Sequence, residues 1–465
     1  MEEDPDARSF RVEYDSLGEV RVPADALYGA HTARSVANFP LTGTPIGACP
    51  DFISVLARIK HAACLTNDSL GLLPPGTGPA IRQACLDVAN GQFNDQLLVD
   101  VLQGGAGTST NMNINEVIAN RALQILERPL GDYHVINPIN HVNRCQSTND
   151  AYATAVRLCT YLNNIQLVET LQSLAKAFRK RTACFEGIVK LGRTQLQDAV
   201  PMPFSAEIES FATTLEEDVP KLSELGCMFL EINMGGTAVG SGVGATSEYC
   251  NAIRSEIANE FRIPVQISRN LYEASWDVGA FVLYCSMLKR LACKLSKIAN
   301  DLRLLSSGPR GGLGELILPE RQAGSSLMPG KVNPVIPEAV NQVAFRVFGI
   351  DISVTFAAEA GQLQLNAFEP MIFWSVREAS LLLEACMRMF ENNCVEGLLP
   401  NCVNVEKNLE NSMAEATVAS ELIGYEASAK VARLAIAEGL TWKQAYAQLA
   451  EHSSTFQPSR SIPLS

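Results

Sequence analysis

The stretch that decides the fold is residues 151–190, AYATAVRLCTYLNNIQLVETLQSLAKAFRKRTACFEGIVK, which contains no proline. Its apolar residues recur every three or four positions, which places them on one face of an α-helix. These residues are Leu158, Leu162, Ile165, Val168, Leu171, Leu174 and Phe178. About 30 residues of helix would span roughly 45 Å, longer than most globular cores require. The stretch therefore predicts a long helix that buries one face.

Four other runs share this pattern. They cover about 203–232, in which Pro220 predicts a kink, and 277–304, 335–350 and 370–394. In the run 277–304 the apolar stripe consists of Val282, Cys285, Leu288, Leu291, Leu295, Ile298 and Leu302. Long helices with apolar stripes and few strands predict a mainly α protein built on a helical bundle, which we expect to continue across subunits.

Length and charge set limits on organisation and function. At 465 residues the chain is too long for one ordinary core, and we expect about three domains. We place a mostly helical N-terminal domain at 1–145, the long-helix domain at 146–400 and a small helical C-terminal domain at 401–465. The formal charge of -13 argues against nucleic-acid binding, which favours a basic surface.

Cysteine usage and targeting signals indicate the compartment. The thirteen cysteines show no repeated spacing, which is typical of reduced, mostly buried thiols. The N-terminus, Met1–Pro5, is too acidic for a signal peptide. No segment has the roughly 18 uncharged apolar residues of a membrane span. The sequence therefore predicts a soluble, cytoplasmic protein that does not enter a membrane.

The loop before the run 335–350 carries the most chemistry. Residues 324–333, GSSLMPGKVN, contain two glycines and a proline, which favour neither helix nor strand. They supply two hydroxyls, one ammonium and one carboxamide but no carboxylate, an inventory that suits an anionic ligand. Taken alone, the loop could also be a glycine-rich connector with incidental polar residues.

Three more polar segments border predicted helices: 103–113, 141–150 and 192–201. The glycines of the first, QGGAGTSTNMN, let a backbone approach a ligand, and we expect a helix at 113–121 after it. No lysine follows its last glycine, so the phosphate-loop pattern fails. The second could be only an elaborate helix cap. The third, GRTQLQDAVP, could be only a polar turn between helices, with Arg193 and Asp198 as a structural pair.

The order of residues in these four segments resembles one family. GSSLMPGKVNP resembles the signature loop of the aspartase/fumarase superfamily, and the other three segments match that family's motifs in the expected order. The resemblance covers roughly residues 10–455. It implies a three-domain fold whose central domain has five long helices. Four copies of that domain would form a twenty-helix core in a homotetramer, with active sites shared between subunits.

The resemblance also implies roles for the signature loop. Ser325 would be the general base, and Lys331 and Asn333 would hold a substrate carboxylate. We add Ser326 as a hydrogen-bond donor to the charge that develops on the substrate. The partner is then a small dicarboxylate.

The other three segments would contribute further substrate-binding residues. Those carried over are Thr108, Ser147, Thr148, Asn149 and Thr194. Gln195 stands where fumarases have a histidine, and with Asn149 it is a candidate to receive the substrate amino group. The four segments contain neither metal ligands nor a cofactor motif, so we expect no metal and no cofactor.

The reaction implied by the resemblance is anti elimination of ammonia from L-aspartate to give fumarate. Its difficult step removes a proton from the carbon next to a weakly activating carboxylate, so that an enediolate-like charge develops. Preorganised donors to that charge are worth on the order of 3 kcal/mol each. A positioned base adds about 10²–10⁴-fold.

Three alternatives stay open. Trp276 and the pair Ile139-Asn140 depart from the usual pattern, which keeps a lyase of a modified or N-substituted aspartate in consideration, although we expect Trp276 to fill core space. Fumarate hydratase is disfavoured by Gln195. A catalytically silent protein with the same fold is disfavoured because the polar segments are intact.

Overall fold

The computed structural model describes residues 9–452, so that the acidic N-terminus discussed above lies outside the described residues. Within that range the α-helices are α1 (Ala30–Asn38), α2 (Pro50–Ser69), α3 (Gly78–Ala89), α4 (Thr108–Ile125), α5 (Thr148–Arg181), α6 (Phe204–Glu216), α7 (Asp218–Gly226), α8 (Ser247–Phe261), α9 (Leu271–Ala274), α10 (Gly279–Leu305), α11 (Val335–Glu359), α12 (Glu369–Asn393), α13 (Cys402–Glu410), α14 (Ala414–Ile423), α15 (Tyr425–Glu438) and α16 (Trp442–His452).

The strands are short and pair in twos. They are β1 (Phe10–Asp15), β2 (Gly18–Pro23), β3 (Val189–Thr194), β4 (Gln197–Pro203), β5 (Glu231–Ile232), β6 (Gln266–Ile267), β7 (Leu316–Ile317) and β8 (Leu399–Pro400). β5 and β6 are parallel, and β1–β2, β3–β4 and β7–β8 are antiparallel. The prediction of a mainly α protein with few strands is confirmed.

The long helices appear where the apolar stripes place them, with two corrections. α5 ends at Arg181 rather than near Lys190: a 3-10 turn at Thr182–Phe185 follows it, and after Gly187, with a φ of 75°, the chain continues into β3. The run 203–232 forms two helices instead of one kinked helix. Pro220 lies in the first turn of α7, where its missing N–H has no intrahelical partner to lose, so the helix restarts there.

The predicted stripes form the buried faces. On α10 the side chains of Leu288, Leu291 and Leu302 are fully buried, and on α5 those of Leu171 and Phe178 are fully buried. Burying a side chain of this size stabilises the fold by about 1.5–3 kcal/mol. Apolar burial therefore orients both helices.

The chain divides into two compact units that interleave along the sequence. The first unit comprises residues 1–168, 221–289 and 346–382, and the second comprises 169–220, 290–345 and 383–465. In the first unit the ring of Phe52 packs against those of Tyr152 and Phe373. In the second unit the ring of Phe178 packs edge-on against those of Phe211 and Phe390. The division into domains 1–145, 146–400 and 401–465 stays a prediction.

The segment 192–201 is not a turn between helices. It belongs to the hairpin of β3 and β4, in which Thr194 pairs with Gln197 across a two-residue turn. Arg193 lies opposite Asp198 in the register, but its guanidinium pairs with Glu315, with 2.8 Å between Nη2 and Oε1. The sequence analysis did not predict this pair of strands.

Three further expectations can be compared with the structure. Trp276 is 46% exposed, so the expectation that it fills core space is wrong; it follows the short helix α9 at the surface. All thirteen cysteines are free, and eight of them are buried, as predicted. Among the described helices, none combines the length and apolarity needed to cross a membrane.

One buried acid in the first unit should make stability depend on pH. Glu369 is almost fully buried, and burial raises the pKa of its carboxyl to about 7, although the nearby charge of Arg157 partly opposes this. The guanidinium of Arg157 itself donates to the carbonyl oxygen of Glu231 at 3.2 Å. The folded state therefore favours protonated Glu369 below neutral pH.

We predict that Glu369→Gln removes this pH dependence. Because the folded pKa of about 7 exceeds the ordinary value of 4.5, Glu369 contributes stability that is complete below pH 4.5 and is lost as the pH rises through 7. The unfolding free energy of the variant minus that of the wild type should rise by about 3 kcal/mol over this interval. Chemical denaturation across the interval measures the difference. Glu406→Gln, at an exposed position, is the control, and a pH-independent difference for Glu369→Gln would contradict the prediction.

Candidate active site

The first predicted substrate-binding residue opens a helix. Thr108 is the first residue of α4, which begins five residues before the expected position 113. Gly107 precedes it with φ 86°, and a Cβ at Gly107 would lie 2.6 Å from the ring of Tyr152, so glycine is required there. The exposed Thr108 hydroxyl donates to the carbonyl oxygen of Gly105 at 2.7 Å. The first turn of α4 thus presents Thr108 at its positive end.

The triplet 147–149 opens α5 through a reciprocal cap. The Ser147 hydroxyl accepts from the N–H of Asn149 at 3.2 Å, and the Asp150 carboxylate accepts from the N–H of Ser147 at 2.9 Å. This is a capping box, in which each end of the first turn satisfies the other. The segment therefore caps a helix, and its binding role stays a prediction.

The capping contacts leave defined groups for a ligand. The Thr148 hydroxyl accepts from Asn111 Nδ2 at 3.0 Å, so its own proton remains to be donated. Asn149 Nδ2 donates to the carbonyl oxygen of Ala238 at 2.8 Å, which leaves Asn149 Oδ1 to accept. Since Asn111 lies in the first turn of α4, the first turns of α4 and α5 are bonded to each other.

The buried carboxylate of Asp150 holds the start of α5 in place. The same carboxylate, which is fully buried, also accepts from the N–H groups of Gly235 at 3.1 Å and Thr237 at 2.9 Å. Burial raises the pKa of Asp150 to about 6, and the three backbone donors and the charge of Lys60 act in the opposite direction. Asp150 therefore fixes the glycine-rich segment 235–244 against the start of α5.

Lys60, which the sequence analysis missed, supports the segment 141–150 from within the first unit. Its fully buried ammonium donates to Asn143 Oδ1 at 2.8 Å and Gln146 Oε1 at 2.9 Å. Burial lowers the pKa of Lys60 to about 7, against the attraction of Asp150. A signal was present: Lys60 follows Ile53 and Leu56 on the apolar stripe of α2, where a lysine needs polar partners.

Thr194 and Gln195 lie at the exposed tip of the hairpin. Gln195 and Leu196 form its two-residue turn, with φ of 53° and 64°. Two consecutive residues with positive φ define the turn type that matches hairpin twist. Neither residue is glycine, asparagine or aspartate, so the turn is strained and depends on its surroundings.

The loop 324–333 is closed by its own hydrogen bonds. The Gly324 N–H donates to the Lys331 carbonyl oxygen at 2.7 Å, and Asn333 Nδ2 donates to the Gly324 carbonyl oxygen at 3.1 Å. A Cβ at Gly324 would lie 2.6 Å from the Lys331 carbonyl oxygen, so this closure requires glycine. The loop therefore has a defined conformation, closed by hydrogen bonds between its two ends.

Ser325 has a distinctive environment in this loop. Its hydroxyl oxygen accepts from the N–H groups of Leu327 at 3.1 Å and Met328 at 2.9 Å. Donors aimed at an oxygen favour its deprotonated form. Ser326 and Lys331 are exposed on the same loop, and among the described residues the Lys331 ammonium has no hydrogen-bond or ion-pair partner.

The predicted residues fall into two groups. Thr108 and the triplet 147–149 belong to the first unit, where the bond from Asn111 to Thr148 joins the first turns of α4 and α5. Thr194, Gln195 and the loop 324–333 belong to the second unit. No cluster of three or more histidine, cysteine, aspartate or glutamate side chains within the described range could hold a metal ion. The arrangement offers hydroxyls, amides and an ammonium, which suit a small anion.

Comparisons with known proteins identify similar lyases. A family model described as a lyase matches residues 18–349. The aspartate ammonia-lyase of Pseudomonas aeruginosa is 49% identical over 432 residues, which cover 93% of this chain and 91% of that protein. The aspartate ammonia-lyase of Escherichia coli K12 is 46% identical over 421 residues, which cover 90% and 88%.

Solved structures are similar over the same range. A structure titled fumarate lyase:delta crystallin from Brucella melitensis in native form has a TM-score of 0.89 and 47% identity, and covers 94% of this chain and 99% of that chain. A recombinant class II fumarase from Schistosoma mansoni has a TM-score of 0.90 and 30% identity, and covers 95% and 96%.

We predict that Asp150→Asn destabilises the fold at neutral pH. An asparagine replaces one of the two accepting oxygens by an NH₂ group, so at least one buried N–H loses its partner, which costs about 2–3 kcal/mol. Urea denaturation of this variant against the wild type measures the loss. Asp95→Asn, at an exposed position, should change the unfolding free energy little. Equal stability of the Asp150→Asn variant and the wild type would show that these three contacts do not hold the site.

Proposed function

This chain belongs to the aspartase/fumarase superfamily of lyases, and from that membership and its site we propose that it eliminates ammonia from L-aspartate to give fumarate, reversibly, in the cytoplasm. The observation that carries the proposal is the pair of backbone donors on Ser325 Oγ. A serine hydroxyl is a weak base, and main-chain donors to its oxygen are what its activation requires. The curated relatives named aspartate ammonia-lyase support the same reaction.

The substrate carboxylates meet donors of two kinds. Lys331 and Asn333 would bind one carboxylate; Asn333 Nδ2 keeps one proton for this after its bond to Gly324. Thr194, at the hairpin tip, would add a hydroxyl donor. The exposed Lys331 ammonium, without a protein partner among the described residues, supplies the charge. Two negative charges on the substrate make this attraction the main source of affinity.

The chemical step moves one proton and one electron pair. Ser325 Oγ, having first lost its own proton to solvent to give the alkoxide that its two N–H donors favour, takes the proton from the substrate carbon that bears no nitrogen. The electrons of that C–H bond pass into the adjacent carboxylate as an enediolate. They return to form the double bond as the C–N bond breaks and ammonia leaves with its electron pair. The hydroxyls of Ser147, Thr148, Ser326 and Thr108 are proposed donors to the enediolate.

The hydrogen bonds within the protein support these donor and acceptor roles. Because the Thr148 and Ser147 oxygens already accept from Asn111 and Asn149, their O–H groups are available to donate. Asn149 Oδ1 and the neutral Gln195 can accept from the substrate ammonium. Gln195 has no acidic proton, so the leaving group departs as ammonia without a strong acid beside it.

The site is proposed to be completed in a homotetramer. An exposed apolar row on α11 supports association: Phe345, Ile352 and Phe356, spaced seven and four residues apart, are 60%, 58% and 70% exposed. Such a row on one helix face is typical of a surface that another helix covers. Neighbouring subunits would then supply the residues of the first and second units to one site.

Wild-type protein should release fumarate from L-aspartate, and Ser325→Ala should lower kcat by at least about a hundredfold because the proton acceptor is gone. Fumarate is followed by its ultraviolet absorbance, and the oligomer mass by light scattering. Ser326→Ala should lose less activity, since it removes only a donor. A near-normal rate for Ser325→Ala with an unchanged oligomer would exclude Ser325 as the base.

A second candidate is the elimination of an amine from an N-substituted aspartate. The exposure of Trp276 (46%) and Tyr272 (55%), one helical turn apart, favours it, because two exposed aromatic side chains could contact an apolar substituent. Comparing L-aspartate, N-methyl-L-aspartate and L-malate in the fumarate assay separates the ammonia-lyase from this candidate and from a fumarate hydratase. Preference for the N-methyl compound would replace the proposed substrate.

The oligomer proposal has its own test. Phe356→Glu places a charge in the apolar row of α11, and burying that charge in a subunit contact is strongly unfavourable. The tetramer should dissociate and activity should fall with it. Ile436→Glu, at a similarly exposed position on α15 (71%), should leave the mass unchanged. An intact, active tetramer of Phe356→Glu would remove this face from the interface.

A further inference from the structure

Glu315 is a buried carboxylate that the mechanism above does not use. It lies just before β7 and is fully buried. Its oxygens accept from Arg193 Nη2 at 2.8 Å and Asn408 Nδ2 at 3.0 Å, and they lie 3.1 Å from Lys190 Nζ. Burial acts to raise the pKa of Glu315, but the hydrogen bond from Arg193 and the charge of Lys190 outweigh it, so the pKa lies below its ordinary value. Glu315 is therefore an ionised carboxylate with cationic partners.

The two cationic partners of Glu315 come from one strand. Lys190 and Arg193 are both on β3, and Arg193 immediately precedes Thr194 and the strained turn at Gln195 and Leu196. A strained turn persists only where its surroundings over-determine it. Arg193, two residues before Gln195, is partly buried and is held by the fully buried Glu315 carboxylate.

The backbone of Glu315 is fixed as firmly as its side chain. Its N–H donates to the Leu305 carbonyl oxygen at 2.7 Å, and its carbonyl oxygen accepts from the N–H of Asn401 at 2.9 Å. Asn401 caps α13, and Asn408 on the same helix bonds the Glu315 side chain. Glu315 thus connects the end of α10, the start of α13 and the hairpin.

We propose that Glu315 is a positioning residue for the lyase reaction: through Arg193 it holds the turn that presents Thr194 and Gln195 to the substrate. The inference rests on the proposed function. Without the Glu315 carboxylate, Arg193 loses its partner, and the strained turn exchanges with conformations that do not bind substrate. The apparent affinity for the substrate then falls in proportion to the fraction of molecules in which the turn keeps its binding conformation.

Steady-state kinetics of Glu315→Gln and Arg193→Gln with L-aspartate test this role. Each variant should raise KM at least about tenfold and change kcat by less than about threefold. The reason is that the fraction of molecules with a correctly formed turn affects substrate binding and does not affect proton transfer in the bound complex. The double variant should be little worse than either single variant, because both remove the same contact. A purely structural loss would lower the amount of active enzyme and leave KM unchanged.

Glu207→Gln is the matched control. Glu207 Oε2 accepts from Lys190 Nζ at 2.7 Å, in the same network, but does not contact Arg193. This variant should keep KM within about twofold of the wild type. An equal rise in KM for Glu207→Gln, or an unchanged KM for Glu315→Gln, would overturn the positioning role.

Amide hydrogen exchange separates this inference from the proposed function. In Glu315→Gln the amides of residues 194–197 should exchange at least about tenfold faster than in the wild type or in Glu207→Gln, since local opening controls the rate. If the wild type does not turn over L-aspartate, the proposed function fails, and the exchange comparison decides whether Glu315 holds the turn. Unchanged exchange would refute the inference in either case.

Discussion

The long helices can offer free backbone N–H groups only at their first turns. Inside an α-helix every backbone N–H is bonded within the helix, and only the first turn keeps N–H groups for other partners. The apolar faces of the long helices are used for packing. Thr108 opens α4, Thr148 opens α5, and the loop 324–333 leads into α11. This constraint explains why the polar segments are far apart in the sequence and why each is attached to a separate helix or hairpin.

The internal hydrogen bonds determine what each polar side chain can do next. A hydroxyl oxygen that accepts an N–H keeps its proton for a ligand, as at Ser147 and Thr148. At Ser325 two N–H donors act on one oxygen, which favours loss of its proton. The backbone around the hydroxyl therefore accounts for the different roles that we propose for it: a donor at Ser147 and Thr148, and a base at Ser325.

The cationic side chains of the second unit differ in exposure and in whether a carboxylate pairs with them. Lys190 is buried and Arg193 partly buried beside Glu315, so that both charges are paired within the protein. Lys331 is exposed on a loop without carboxylates, so its charge is available to an anion. This difference reconciles a net charge of -13 with an anionic substrate, since the local field around Lys331 can oppose the field of the whole chain.

The sequence by itself determined the mainly α fold, the long helices and the four polar segments, because periodic burial and loop-forming residues act over short stretches. It missed the hairpin at 189–203, and it placed the end of α5 later than Arg181, where the helix ends. The apolar stripe of α2 signals that Lys60 is buried, but only the tertiary structure revealed its partners Asn143 and Gln146. The same holds for the contacts of Asp150 with Gly235 and Thr237 and for the pairing of Arg193 with Glu315 rather than Asp198. These contacts join residues far apart along the chain, so no local pattern specifies them.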